Sequence, residues 1–184
     1  GPGEARHNIV ATVFAECHSM YRASGPEAHK PVGESEFVAG VAAMSDSGAY
    51  GPSRICHVMF GGVDVGMGAA IEPVLDAHTA ASGGRFRGIR ISCGWDASEK
   101  IRNVAAAPKM LGDATVREAV AVLDRRGLSL DVWLYHTQLP ELADLADAFP
   151  DLTIILNHVG SPILGGPYRE HREEVARDWQ RDVR

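Results

Sequence analysis

Five short runs of apolar residues alternate along the chain with longer amphipathic segments. These runs, which are rich in Val, Ile, Leu and Phe, are Asn8–Cys17, Ile55–Phe60, Phe86–Ser92, Leu128–Tyr135 and Leu152–Asn157. Continuous apolar runs are typical of strands that are covered on both faces, as in a parallel sheet. No Asn-Gly or Asp-Gly hairpin signal lies between them, which favours parallel crossovers over a meander. The sequence therefore predicts an α/β fold.

The segments between the runs have helical spacing of apolar residues. They are the segment with Phe37, Val41 and Met44 before Gly48; the segment from Glu72 with Val74, His78 and Ala81; the segment from Asp113 with Val116, Val120 and Leu123 before Gly127; Gln138–Pro150; and Tyr168–Arg184 with Val175, Trp179 and Val183. Asp113 and Gly127 have the residue types that begin and end helices. A closed (β/α)₈ barrel needs eight such units and roughly 250 residues. Five units fit either an open five-stranded sheet or part of a barrel, and the last helical segment has an apolar face that would normally lead into another strand. We therefore predict one domain over residues 1–184, a partial (β/α)₈ TIM barrel in preference to an open five-stranded sheet.

The composition excludes several classes of function. The 184 residues are 45% hydrophobic and 23% charged, with a formal net charge of −6 and no basic run, which argues against a nucleic-acid partner. No apolar stretch reaches the roughly 18 residues of a membrane span, and the N-terminus has no signal-like apolar region. The cysteines, Cys17, Cys56 and Cys93, are odd in number and widely spaced. This spacing favours reduced thiols and a cytoplasmic location.

Common nucleotide-binding and hydrolase motifs are missing from the sequence. No Gly-x-Gly-x-x-Gly follows the first run, and neither a Gly-x-x-x-x-Gly-Lys-Ser/Thr nor a Gly-x-Ser-x-Gly motif occurs. Dinucleotide binding, P-loop chemistry and a serine nucleophile are therefore disfavoured.

Two histidines, His136 and His158, directly follow the fourth and fifth apolar runs. The carboxyl ends of parallel strands are where α/β enzymes build their sites. Two imidazoles at neighbouring strand ends can hold a divalent metal or move a proton. We expect most other histidines at the surface or in packing, namely His7, His29, His57, His78 and His171.

Four stretches carry a resemblance to a known family. They are residues 8–17 (NIVATVFAEC), 86–90 (FRGIR), 133–142 (WLYHTQLPEL) and 156–162 (LNHVGSP). In this order they resemble the amidohydrolase-related family of metal-dependent hydrolases, which are (β/α)₈ barrels that include lactonases and decarboxylases. The resemblance implies that the five runs are the second to sixth barrel strands. It also implies a truncated member, because the family's first-strand His-x-His pair and eighth-strand Asp have no counterpart here.

The resemblance assigns roles to residues at the strand ends. It implies that His136 is a metal ligand, and that His158 is a metal ligand or the catalytic group that polarises water or the substrate carbonyl. It implies that Arg90 presents its guanidinium to the substrate, where a carboxylate would satisfy it. An internal ion pair of Arg90 with Asp64 or Glu16 is nearly as compatible with the sequence.

Four polar residues follow the first run: Glu16, His18, Tyr21 and Arg22. Relatives carry Glu-Cys-x-Ala-Met-Tyr-Arg here, with Ser19 replacing the Ala in this chain. We predict that Tyr21 and Arg22 bind substrate, and that Trp95 either closes over the pocket or packs within its loop. Ile91 stands where relatives often have a His, so the resemblance does not name a substrate.

The function implied by the resemblance is hydrolysis of a cyclic ester or amide, such as a lactone, of a small carboxylated molecule. The full-length enzyme would hold one divalent metal, zinc or manganese, or would work without one. Two alternatives are a non-oxidative decarboxylase on the same scaffold and an inactive truncated fragment. The expected partner is a small-molecule substrate and not a membrane. Exposed strand edges also predict a homo-oligomer or a poorly soluble chain.

Overall fold

The computed structural model describes residues 8–183, so the prediction for His7 lies outside the described residues. The strands are β1 (Ala11–Ala15), β2 (Arg54–Gly62), β3 (Phe86–Ser92), β4 (Ser129–Trp133) and β5 (Ile154–Leu156). The helices are α1 (Val32–Asp46), α2 (Glu72–Ala81), α3 (Ala114–Arg125), α4 (Leu139–Ala148) and α5 (Arg172–Asp182). All five predicted strands and all five predicted helices are present. In the described part of the chain, no helix is long and apolar enough to cross a membrane.

The strands follow one another in the sheet in chain order, β1-β2-β3-β4-β5. β1 pairs with β2, β3 with β4, and β4 with β5, each in parallel. The order of elements is that of successive units of a (β/α)₈ barrel. β5 is shorter than predicted at both ends, since it begins only at Ile154 and Asn157 already belongs to a 3₁₀ turn, Asn157–Gly160.

The chain divides into two compact units. The first runs through Gly62 and includes Val74–Arg87, and the second comprises Val63–Pro73 and the chain from Gly88 onward. In the first unit, fully buried side chains come from both helices and from β2: Val38, Ala42, Met59, Val74 and Leu75. The helical spacing of Phe37 and Met44 marks α1 correctly but not its buried face, since these side chains are 44% and 54% exposed.

The second unit has its core between β3, β4 and the helices that cover them. Ile89, Leu130, Val132, Val120 and Leu123 are completely buried there. Burial of each such side chain stabilises the fold by about 1.5–3 kcal/mol. The three cysteines of the chain are free, with Cys17 exposed and the other two buried.

Helix α3 begins and ends where the sequence predicts. The Asp113 carboxylate accepts hydrogen bonds from the backbone N–H groups of Thr115 (2.8 Å) and Val116 (3.2 Å). These bonds satisfy two of the donors that the first helical turn leaves without a partner. At the other end Gly127 has a φ of 61°, a left-handed conformation that glycine adopts without strain.

Candidate functional site

Arg90 and Asp131 lie side by side on the polar face of β3 and β4 in the second unit. The two residues are register partners in the parallel pair. Their chain neighbours, among them Ile89 and Leu130, point to the opposite, apolar face, because side chains alternate along a strand. The Arg90 Nε lies 3.9 Å from an Asp131 carboxylate oxygen. Arg90 is therefore ion-paired to Asp131, an acid other than Asp64 and Glu16, the two partners expected from the sequence.

Asp131 is the centre of this group. Asp131 is only 5% exposed. The side-chain amide of Asn157 donates to both of its carboxylate oxygens, at 2.8 and 3.1 Å. Burial raises the pKa of Asp131, while the Asn157 hydrogen bond and the charges of Arg90 and His158 oppose that rise. Asp131 and Asn157 were both missed from the sequence. The available signal was a lone acid within the apolar run Leu-Asp-Val-Trp.

His158 is the residue after Asn157 and lies at the carboxyl end of β5, where the sequence places it. It lies in the turn Asn157–Gly160 and is exposed. Its backbone is left-handed, with φ of 47° and ψ of 31°. A positive charge on His158 has the smallest of the effects that lower the pKa of Asp131.

His136 lies in the 3₁₀ turn His136–Gln138 that follows β4, and it is buried. Its Nδ1 accepts a hydrogen bond from the backbone N–H of Ile163 at 3.4 Å. Its ring meets that of Tyr168 edge-on, with 5.4 Å between centroids and 78° between planes. Burial lowers the pKa of His136, so the neutral imidazole is favoured. The ring borders a cavity of about 490 Å³ that Tyr168 and carboxylates of α5 also line.

The predicted metal site was tested against the donors that the structure provides. Among residues 8–183, no group of three or more His, Cys, Asp and Glu side chains is placed to hold a metal ion. The Nδ1 lone pair of His136 is engaged by Ile163, so the neutral ring carries its proton on Nε2. As arranged here, the described residues do not fit a metal centre by themselves. The assignment of His136 and His158 as metal ligands stays a prediction.

Trp95 is fixed by the side chain of Gln138. The Gln138 Oε1 accepts from the backbone N–H of Trp95 at 2.9 Å, and its Nε2 donates to the carbonyl of Cys93 at 2.8 Å. Gln138 thereby joins the loop after β3 to the turn after β4. A cavity of about 540 Å³ is lined by Trp95, Gln138 and Lys109, among others. Trp95 is half-buried beside this cavity, and its role in substrate binding stays a prediction.

Three of the polar residues that follow β1 come together in the first unit. The Tyr21 hydroxyl and the His18 Nδ1 are 2.9 Å apart, and the same Nδ1 is 3.3 Å from a carboxylate oxygen of Glu16. Burial, followed by the charges of Glu16 and Glu34, raises the pKa of Tyr21 to about 12. Tyr21 is therefore a hydrogen-bonding phenol and not a phenolate at neutral pH.

Glu34 of α1 organises this loop and was not predicted. Its Oε1 accepts from the backbone N–H of Cys17 (3.1 Å), and from the N–H (2.9 Å) and the hydroxyl (3.0 Å) of Ser19. Arg22, the fourth predicted residue, instead forms an ion pair with Glu36 on the exposed side of α1. Substrate binding by Tyr21 and Arg22 stays a prediction.

Comparisons with known proteins give one matching family model, one similar protein sequence and one similar solved structure. A family model for amidohydrolases matches residues 11–182. The uncharacterized protein y4mH of Sinorhizobium fredii is 33% identical over 140 residues, which cover 76% of this chain and 43% of that protein. A crystal structure of an amidohydrolase from Burkholderia multivorans with bound HEPES superposes with a TM-score of 0.54 and 17% identity, over 95% of this chain and 63% of the other.

The likeness to the solved structure confirms the predicted fold class, a partial (β/α)₈ barrel. The chain spans less than half the length of the Sinorhizobium protein and 63% of the solved chain. The family match covers nearly all the described residues, from β1 to the end of α5. On this evidence the chain belongs to the amidohydrolase family.

Proposed function

We propose that the protein hydrolyses a cyclic ester or amide, most simply a lactone, of a small carboxylated molecule. Membership of the amidohydrolase family supports hydrolysis as the reaction class. The observation that carries the choice of substrate is the group formed by Arg90, the buried Asp131 and Asn157, the residue that directly precedes His158. It places a cation on β3 in the same sheet as β5, whose carboxyl end leads into the turn that carries the His158 imidazole.

Arg90 provides the specificity in this proposal. Its guanidinium contacts the Asp131 carboxylate through Nε at 3.9 Å. A guanidinium offers five N–H donors in a planar fork that suits a carboxylate. Asp131 orients the side chain from the neighbouring strand, and the substrate carboxylate binds the fork.

His158 provides the polarising group. When water attacks the carbonyl carbon of a lactone, negative charge develops on the carbonyl oxygen, and a fixed donor near that oxygen lowers the barrier. The imidazole of His158 is exposed at the strand end and can donate such a hydrogen bond. Collapse of the tetrahedral intermediate then breaks the ring C–O bond. The proton lost by the attacking water passes through solvent to the released ring oxygen, so that the products are an alcohol and a carboxylic acid.

The test is a ring-opening assay of the purified chain. The panel pairs each carboxylated lactone with its uncharged analogue, and each assay is run with EDTA, with zinc and with manganese. Arg90→Met is expected to lower kcat/KM for carboxylated lactones by about 10- to 100-fold, because the variant loses one or two charge-assisted hydrogen bonds to the substrate carboxylate. Hydrolysis of the uncharged analogues is expected to change little.

Two matched controls accompany this assay. Arg87→Met removes an exposed arginine from the same strand, and His171→Asn removes an exposed histidine for comparison with His158→Asn. Equal losses on charged and uncharged lactones in Arg90→Met would contradict the carboxylate-binding role. Release of carbon dioxide without ring opening would identify the decarboxylase alternative. No turnover with any metal would favour the inactive fragment.

A further inference from the structure

The turn that carries His158 has a rare backbone conformation. Four consecutive residues have positive φ: His158 (47°), Val159 (49°), Gly160 (75°) and Ser161 (34°). Left-handed backbone is unfavourable for residues with a Cβ atom and is most unfavourable for a β-branched one. Val159 is also 60% exposed, so little packing of its own side chain offsets this cost. Something outside the turn must hold it in this form.

Trp179 of α5 makes the contact that can do so. Its indole N–H donates to the carbonyl oxygen of Val159 at 2.6 Å, across 20 residues of chain. Two further contacts fix the end of the turn. The N–H of Ser161 donates to the carbonyl of His158 at 3.0 Å. Gly160 packs so close to Leu139 that a Cβ there would lie 2.8 Å from a leucine methyl group.

The same segment reaches the second histidine. Ile163, five residues after His158, donates its backbone N–H to the Nδ1 of His136 at 3.4 Å. A change in the turn would therefore move the backbone between His158 and Ile163, and with it the N–H that donates to His136. Control of the turn affects the surroundings of both imidazoles.

We propose that Trp179 is a positioning residue, which holds the left-handed turn and thereby sets the direction in which His158 leaves the end of β5. The importance of that direction for turnover rests on the proposed function. The geometric effect does not, because it is a property of the folded chain. A tryptophan that only packs α5 against the unit would be replaceable by phenylalanine, whereas a hydrogen-bond donor would not.

The test compares Trp179→Phe, Val159→Gly and the double variant with the wild-type chain, and uses Gln180→Ala, an exposed neighbour on α5, as control. Two measurements need no substrate. One is the rate of modification of His158 by diethyl pyrocarbonate, determined by mass spectrometry relative to exposed His171. The other is hydrogen exchange of the segment 157–163. Circular dichroism checks that each variant is folded.

Trp179→Phe is expected to change the relative modification rate of His158 by at least about threefold and to speed exchange of the segment by about tenfold, as loss of one local hydrogen bond would. Adding Val159→Gly is expected to restore the relative modification rate of His158 towards wild type, because glycine adopts positive φ without strain. Unchanged values in Trp179→Phe, or no restoration in the double variant, would overturn the proposal.

Val159→Gly alone gives a second test should Trp179→Phe not fold. It keeps the indole donor and the carbonyl acceptor and removes only the β-branched side chain. The modification rate of His158 is expected to stay within about twofold of the wild-type rate. The Trp179 indole still binds the backbone carbonyl of residue 159, and this hydrogen bond does not depend on the side chain at that position. A larger change would show that the valine side chain, and not Trp179, determines the turn. Because none of these measurements involves turnover, failure of the hydrolase proposal would leave their result intact.

Discussion

His78 joins three elements of the first unit through its two ring nitrogens. Its Nε2–H donates to the carbonyl of Gly62 at the end of β2 (3.1 Å), and its Nδ1 accepts from the hydroxyl of Ser35 on α1 (2.8 Å). The ring stacks on Phe86 at 5.2 Å. Burial lowers the pKa of His78 to about 4, against smaller opposing effects of Gly62 and Glu34. The histidine is thus a neutral packing residue, one of the two roles expected for it from the sequence.

This depressed pKa predicts how stability changes with pH. Protonation favours the unfolded chain, so the contribution of His78 is complete above the ordinary pKa of 6.5 and is lost as the pH falls through the folded value of about 4. The loss amounts to about 3 kcal/mol. Urea unfolding at several pH values between 7 and 4 should show a steeper decline for wild type than for His78→Gln. Parallel profiles would contradict the prediction.

Asp131 is expected to contribute to stability as well as to the candidate site. Asp131→Ala removes the acceptor of two Asn157 contacts and an ion-pair partner of the largely buried Arg90. We expect a loss of about 2 kcal/mol in the free energy of unfolding. Asp151→Ala, an exposed acid before β5, should change it by less than about 0.5 kcal/mol. Chemical denaturation of both variants checks this, and equal effects would contradict it.

At the scale of elements, the N-terminus of α3 provides a clean test of capping. Asp113→Ala removes the two hydrogen bonds to Thr115 and Val116 and is expected to destabilise the chain by about 1 kcal/mol. Asp147→Ala, at an exposed position of α4, removes an equal charge without removing a cap. A thermal or urea midpoint that falls as far in the control as in Asp113→Ala would show that charge, and not capping, is responsible.

The elements that the sequence predicts best are those with local signals. β3 has the predicted bounds, and α3 begins after its capping Asp113 and ends before Gly127, because capping and glycine preferences act over a few residues. The buried face of α1 was not predicted. The apolar spacing places Phe37 on that face, but in the structure Ser35 is buried and Phe37 is exposed, because the packing of α1 against β2 determines the face. The left-handed turn at His158 has no local signal, because it depends on a tryptophan 21 positions further along.

The candidate site shows the same division between local and distant causes. Strand-end histidines are visible in the sequence because an apolar run precedes each of them. Asp131, Asn157 and Glu34 acquire their roles through register or through contacts across 15 to 26 residues, which periodicity does not encode. The sequence therefore identifies the strand ends that carry the site, but not the buried carboxylates that hold those ends in place.

At the scale of the whole molecule, β1 is an edge strand with exposed apolar residues in and just before it. It stands at the end of the strand order, beside β2, and no charged residue occurs between Asn8 and Ala15. Ile9, Val10 and Val13 are 61%, 63% and 58% exposed. Natural edge strands usually carry charges or prolines that prevent pairing with another chain. An apolar edge of this kind favours self-association, in line with the oligomer or poorly soluble chain that we expect from the sequence.

We therefore expect the purified chain to associate in a concentration-dependent manner, and Val13→Lys to reduce that association by placing a charge on the edge. Light scattering coupled to gel filtration at several concentrations measures the mass directly. Met44→Lys adds the same charge on the exposed face of α1 and should leave the mass unchanged. A wild-type chain that is monomeric at all concentrations would show that the exposed edge of β1 does not drive association. An equal fall in mass in Val13→Lys and Met44→Lys would show the same.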